Sequence, residues 1–250
     1  MKLKVSFKRR HVVIIIVVMA LILVLIGLLL FITYKSPKKE EPITISTSSQ
    51  VTAEEKPTKP VTAVIPDNFD LIVPYTVQAP YANWKVHEES CEEAALLMAH
   101  QYLQGARADI DPATADREIR AQKAWQIKNW GAERDLSIQK IGDLAQAYYG
   151  DQSKLIPEIS VNQIKAEISA GRPVLVPVMT QSLKNSHYSP GNVYHILLIK
   201  GYDSNGVITN DAGVKEGKDW HYSWDILWSA VDSANTKINQ GRTGVVLIKG

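Results

Sequence analysis

The chain has one cysteine in 250 residues. A single thiol excludes an internal disulfide framework and any C-x-x-C metal or redox pair. His87–Glu88–Glu89 does not extend to the H-E-x-x-H spacing of a zinc hydrolase. No G-x-x-x-x-G-K-[ST] phosphate loop occurs, so nothing points to nucleotide chemistry. An excess of one charge is also lacking. The 28 basic and 26 acidic residues leave a net charge of +2, which offers nucleic acid no footing. No internal repeat is present, and no pattern calls for a metal or an organic cofactor.

Charge is missing altogether from Val12–Thr33, a run of 22 residues with one polar side chain at its edge. At ~1.5 Å rise per residue such a helix spans ~33 Å, enough for a ~30 Å hydrocarbon core. The run is longer than the ~7–15 apolar residues of a cleavable signal, and no A-x-A-like site follows it. Residues 12–34 therefore read as a single transmembrane anchor in the lipid bilayer of the cell membrane. Lys2, Lys4, Lys8, Arg9 and Arg10 precede it, while Lys35, Lys38 and Lys39 follow. The basic excess on the N-terminal side makes residues 1–11 a cytoplasmic tail and the remainder extracytoplasmic. Residues 35–66 are rich in Pro, Ser, Thr, Lys and Glu and have no aromatic side chain. They read as a disordered linker with an r.m.s. reach of ~30 Å. Residues 67–250 are left as one globular domain, and in that compartment an unpaired thiol is exposed to oxidation.

That thiol, Cys91, lies in VPYTVQAPYANWKVHEESCEEAALLMAHQY, residues 73–102. Ser90 is a good N-cap, Glu92 and Glu93 fall in the first turn, and no proline interrupts the next dozen residues. Cys91, Ala95, Met98 and Tyr102 share one helical face, with Ala94 and Leu97 beside it. This predicts a buried helix with the thiol emerging at its N-terminal tip. Unpaired N–H groups there favour thiolate, but the two glutamates pull the other way. Lowering a thiol pKa from ~8.5 to ~4 needs roughly 6 kcal/mol of differential stabilisation, against ~0.3–1 kcal/mol from a helix terminus. A nucleophilic Cys91 thus requires a cationic partner; without one it is a small buried hydrophobe.

Leu71–Thr76 reads as a short strand. Ala115–Trp130 and Ser137–Tyr149 read as helices, the latter closed by Gly150, with Pro112 near a helix start. A short helix runs from Ser160 to Gly171. The pattern then turns to β: Val174–Val178, Val193–Gly201, Val207–Asn210 and Gly244–Lys249 are rich in branched residues, with Ser223–Val231 as one more helix. Helices first and antiparallel strands later argue an α+β fold.

Gln78 in VQAPYANW, Cys91 in ESCEEAALLMA, His195 in VYHILLIKGYD and Asp211 or Asn210 in VITNDAG occur in one order along the chain. In these motifs, from about Val73 onward, the chain resembles the papain-like cysteine peptidases and is most similar to the bacteriocin-processing family among them. The resemblance implies a central helix packed on an antiparallel sheet and opened by the nucleophile. It implies Cys91 as nucleophile, His195 as its imidazolium partner and Gln78 as an oxyanion donor. Asp211 would orient His195, with Asn210 the competitor for that role, since the family usually shows Asp-Pro where this chain has Asp-Ala. A peptide or protein substrate follows. Amide hydrolysis or acyl transfer on cell-wall peptides, and a non-catalytic binding module on the same scaffold, stay open beside proteolysis. His187 and His221 occupy polar loops, and Trp84 is close enough in sequence to Gln78 to wall a cleft.

Overall fold

The computed structural model describes residues 65–133, 135–188, 191–238 and 242–249. The expected tail, anchor and nearly all of the expected linker lie outside them. Among the described residues no helix is long and apolar enough to cross a membrane.

The fold is α+β, with one antiparallel sheet and helices packed on it. Its strands are β1 (Phe69–Asp70), β2 (Gln152–Ile156), β3 (Val174–Met179), β4 (Tyr194–Tyr202), β5 (Gly206–Asn210), β6 (Trp220–Ser223) and β7 (Gly244–Ile248). They lie in the order β2-β7-β3-β4-β5-β6, and β1 pairs with the far end of β4. The central strands β3 and β4 carry runs of branched residues and are buried on both faces. Pro177 has no N–H to give. It pairs with Ile196 where β7, which stops opposite Leu175, no longer runs alongside.

The helices are α1 (Trp84–His87), α2 (Cys91–Leu103), α3 (Pro112–Trp130), α4 (Ile138–Leu144), α5 (Val161–Ser169) and α6 (Trp224–Ile238). Helix α2 is buried from Cys91 to Ala99, packing against α3 on one side and β4 and β7 on the other. Asp111 caps α3 by accepting from the Thr114 N–H, with Pro112 at the first helical position. Ser160 and Gln163 form a capping box on α5.

Several elements differ from the sequence reading. Residues 71–76 make no strand; Leu71 gives one N–H to Lys200, and strand pairing is confined to Phe69 and Asp70. The expected helix to Tyr149 is α4 followed by a π-helical turn, Ala145–Tyr149, before Gly150. Strands β2 and β6 go unread in the sequence. The first has a half-exposed pattern on the sheet edge, and the second is a four-residue edge strand.

Candidate active site

Three segments meet here: the start of α2, the start of β4, and the loop leaving β5. In the first, Ser90 occupies the N-cap position but makes no capping hydrogen bond. Its hydroxyl instead accepts from Lys123 Nζ at 3.2 Å and lies 3.2 Å from His87 Nδ1, while His87 Nε2 lies 2.8 Å from Asp116. Gln122 donates to the Glu93 carbonyl at 3.0 Å. The long helix α3 thus grips the turn that delivers Cys91, through groups that share no sequence pattern with it.

Cys91 is 5% exposed, so its sulfur does not emerge from the helix tip as the sequence suggested. It donates to Glu92 Oε2 at 3.1 Å, and the Ile196 backbone N–H points back at it. Glu92, 1% exposed, is itself held by the Leu136 N–H at 2.8 Å. Leu136 also accepts the Tyr194 hydroxyl at 2.8 Å. Burial, then the Glu92 charge and hydrogen bond, push the Cys91 thiol well above its ordinary range; the Ile196 N–H opposes them.

On β4, His195 Nε2 lies 2.9 Å from Asp211 Oδ1. The same oxygen accepts the Tyr188 hydroxyl at 2.6 Å and the Gly213 N–H at 3.0 Å, and Oδ2 accepts the Tyr222 hydroxyl at 2.7 Å. Burial works to raise the Asp211 pKa, but the His195 charge and these hydrogen bonds outweigh it and leave it lowered. An ionised carboxylate only accepts, so Nε2 carries a proton and Nδ1 is left for a second partner. Burial and the Asp211 charge push the Tyr188 and Tyr222 phenols up, so both stay neutral donors. Two glycines make room. A Cβ at Gly213 would lie 2.8 Å from the His195 ring, and one at Gly217 would strike the Asp211 carbonyl.

Asn210 is fully buried, and its amide donates to the Val73 and Pro74 carbonyls at 3.1 and 3.2 Å. The structure therefore brings Asp211, not Asn210, to the ring. Gln78 is also buried, with its backbone N–H on the Ala212 carbonyl and its side-chain amide on the His87 and Glu88 carbonyls at 2.8 and 3.0 Å. It ties the loop before Cys91 to the loop after Asp211, and both its amide protons are engaged. His187 and His221 pair with Glu216 and Asp203 at the surface, each one residue before a tyrosine that donates to Asp211. Trp84 is 40% exposed on α1. A cavity of ≈ 390 Å³ lined by Trp130, Ala132, Asp135, Leu136 and Lys140 opens beside the Leu136 that holds Glu92. Among the described residues no group of three or more His, Cys, Asp or Glu is arranged to hold a metal ion.

Sequence reasoning missed Tyr188 and Tyr222, which hold Asp211 from 23 and 11 residues away. It noted the charge of Glu92 but not its bond to sulfur.

The Peptidase_C39 like family matches residues 71–234, a stretch holding every residue of this cluster. No curated protein matches. The fold resembles that of a protein described as a C39-like peptidase from Bacillus anthracis, with a TM-score of 0.51 at 16% identity, covering 74% of this chain and 99% of that one. A second similar structure is xylellain, a cysteine protease from Xylella fastidiosa, with a TM-score of 0.42 at 15% identity, covering 78% and 90% of the two chains.

Proposed function

Because the chain belongs to the C39-like peptidase family, we propose that it is a cysteine peptidase in which Cys91, His195 and Asp211 work as a triad. The observation that carries the reading is the 2.9 Å contact between His195 Nε2 and Asp211, made on the strand whose next residue aims its N–H at the Cys91 sulfur. His195 Nδ1 takes the thiol proton. The sulfur electron pair then forms a C–S bond to the scissile carbonyl, whose π pair moves onto oxygen. The N–H of Cys91, at the head of α2, faces that oxyanion. Gln78 is the second donor when it releases one of its two carbonyls, and until then it positions the Cys91 loop. Collapse breaks the C–N bond, and the amine leaves with the proton from His195. Water, deprotonated by His195, cleaves the thioester and restores the thiol. The cavity beside Leu136 offers room for one substrate side chain.

Residues 12–34 tether this domain outside the cell membrane, with residues 1–11 in the cytoplasm and 35–66 as spacer. The uncharged run and the basic excess before it support that arrangement. Carbonate extraction of membranes, with protease shaving of intact cells, tests it: an extractable or unshaved protein contradicts it.

The full chain, incubated with a peptide mixture and read by mass spectrometry, should give internal cleavage products that the Cys91→Ala variant does not. Ammonia release or transfer to added amines would instead indicate amidase or acyltransferase chemistry. No turnover with any acyl substrate would indicate a binding module.

A further inference from the structure

We propose that Glu92 is a further catalytic residue: its carboxylate, hydrogen-bonded to the Cys91 thiol, keeps the nucleophile protonated at rest and releases it as thiolate only when that negative charge is neutralised. The proposal rests on the cysteine-peptidase reading above. The geometry is direct. The sulfur gives its proton to Oε2 at 3.1 Å, and Oε1 is pinned by the Leu136 N–H at 2.8 Å, so the carboxylate has little freedom to swing away. Glu92 is 1% exposed, so water does little to screen its charge from the sulfur beside it.

The groups facing Glu92 give it little cationic relief. Cys91 and Glu93 share its helix; Asp135 faces it from the loop before α4, and the Tyr194 phenol from β4. Lys123 reaches Glu93 and Glu89, working to lower the pKa of both. Burial pushes the Glu92 carboxyl up to about 7, with Asp135 adding to it and the Cys91 thiol and the N–H groups of Glu92 and Leu136 opposing. Such a carboxyl gains a proton far more readily than an ordinary glutamate. With the carboxyl so neutralised, the S–H bond breaks with its pair left on sulfur and the proton passes to His195 Nδ1.

The test reads sulfur alone and needs no substrate. The full chain holds one cysteine, so iodoacetamide adducts counted by intact mass report Cys91 only. Wild-type labelling should rise with a midpoint above pH 8. In Glu92→Gln the amide keeps the bond to Leu136 but carries no charge. Its midpoint should fall by at least about one unit, giving roughly tenfold faster labelling near pH 7. Glu93→Gln, whose carboxylate bonds Gln126 and not sulfur, should move it less than half as far. A wild-type midpoint below pH 7 overturns the proposal whatever the variants do. So does an unmoved midpoint in Glu92→Gln, or an equal shift in Glu93→Gln. Failure of the peptidase reading shows separately, as absent cleavage products with this labelling pattern intact.

Discussion

Asp211 and Cys91 are both buried, yet their surroundings treat their protons oppositely. Around Asp211 two phenols, an imidazole and a backbone N–H converge on one carboxylate, and their attraction exceeds the cost of burying its charge. Around Cys91 the sulfur faces a second carboxylate, opposed by the Ile196 backbone N–H, which favours its anion. The acid–imidazole half is thus organised before substrate arrives, in the sense that ring orientation and tautomer are already set. The thiol half has its position fixed by α3 but not its charge. Under the proposed mechanism, placing the nucleophile and activating it are separate tasks that fall to different residues.

The widest gap between the halves should appear on removing the sulfur. Cys91→Ala is expected to lower kcat by about 10³-fold or more, while Tm stays within about 4 °C because a small buried side chain is exchanged for one slightly smaller. Turnover in that variant near the wild-type rate would remove Cys91 from the chemistry. On the acid side, Asp211→Asn keeps the shape but not the charge, and kcat should fall by about 10²–10⁴-fold. Asn210→Ser breaks two buried hydrogen bonds to Val73 and Pro74 and should lower Tm while leaving kcat within about threefold. Steady-state kinetics with the reverse ranking would transfer the orienting role to Asn210.

The opposite treatment of protons also predicts opposite stability profiles. Asp211 has a folded pKa below its unfolded one. Its contribution is present above the unfolded value, near 3.9, and disappears as pH falls through the folded one. Glu92 and Glu93 are pushed up, to about 7 and about 8, by burial first, and for Glu93 by Glu92 next. Their contribution is complete below the unfolded value, near 4.3, and is lost as pH rises through the folded ones. Thermal melts should therefore show Tm declining from pH 5 to 8, and Glu93→Gln should flatten the decline, a difference on the order of a few kcal/mol. A wild-type Tm that climbs over that window contradicts the assignment. The smallest expected effect is in Tyr222→Phe, which deletes one of four donors to Asp211. It should cost roughly 3–10-fold in kcat with KM unchanged, as expected for one hydrogen bond to a charged group. A KM change without a kcat change would move Tyr222 from support of Asp211 to substrate contact.

Much of this was legible from local pattern. The apolar spacing from Cys91 to Tyr102 identified α2, and Pro112, Ser137 and Ser160 marked the starts of α3, α4 and α5 because caps and first-turn residues act within a few positions. His195 lies on β4 opposite Val178 of β3, and Asp211 directly follows β5, so the branched-residue runs that marked those strands led to both. What stayed hidden depends on long-range closure. Strand β2 earns its pairing from β7, nearly a hundred residues later, and its own residues alternate too weakly to announce it. Tyr188 and Tyr222 are ordinary tyrosines until the fold carries them to Asp211. Gln78 was found by its place before Cys91, but its turn onto two carbonyls belongs to loop geometry that no spacing encodes.

The central claim is that sulfur and imidazole act as one unit, and covalent trapping tests it most directly. The full chain, treated with an electrophilic peptide probe and followed by intact-mass spectrometry, should gain a single adduct that maps to Cys91. Cys91→Ala should gain none, and His195→Ala should react at least about 10²-fold more slowly. An adduct elsewhere, or His195→Ala reacting at the wild-type rate, would contradict the account.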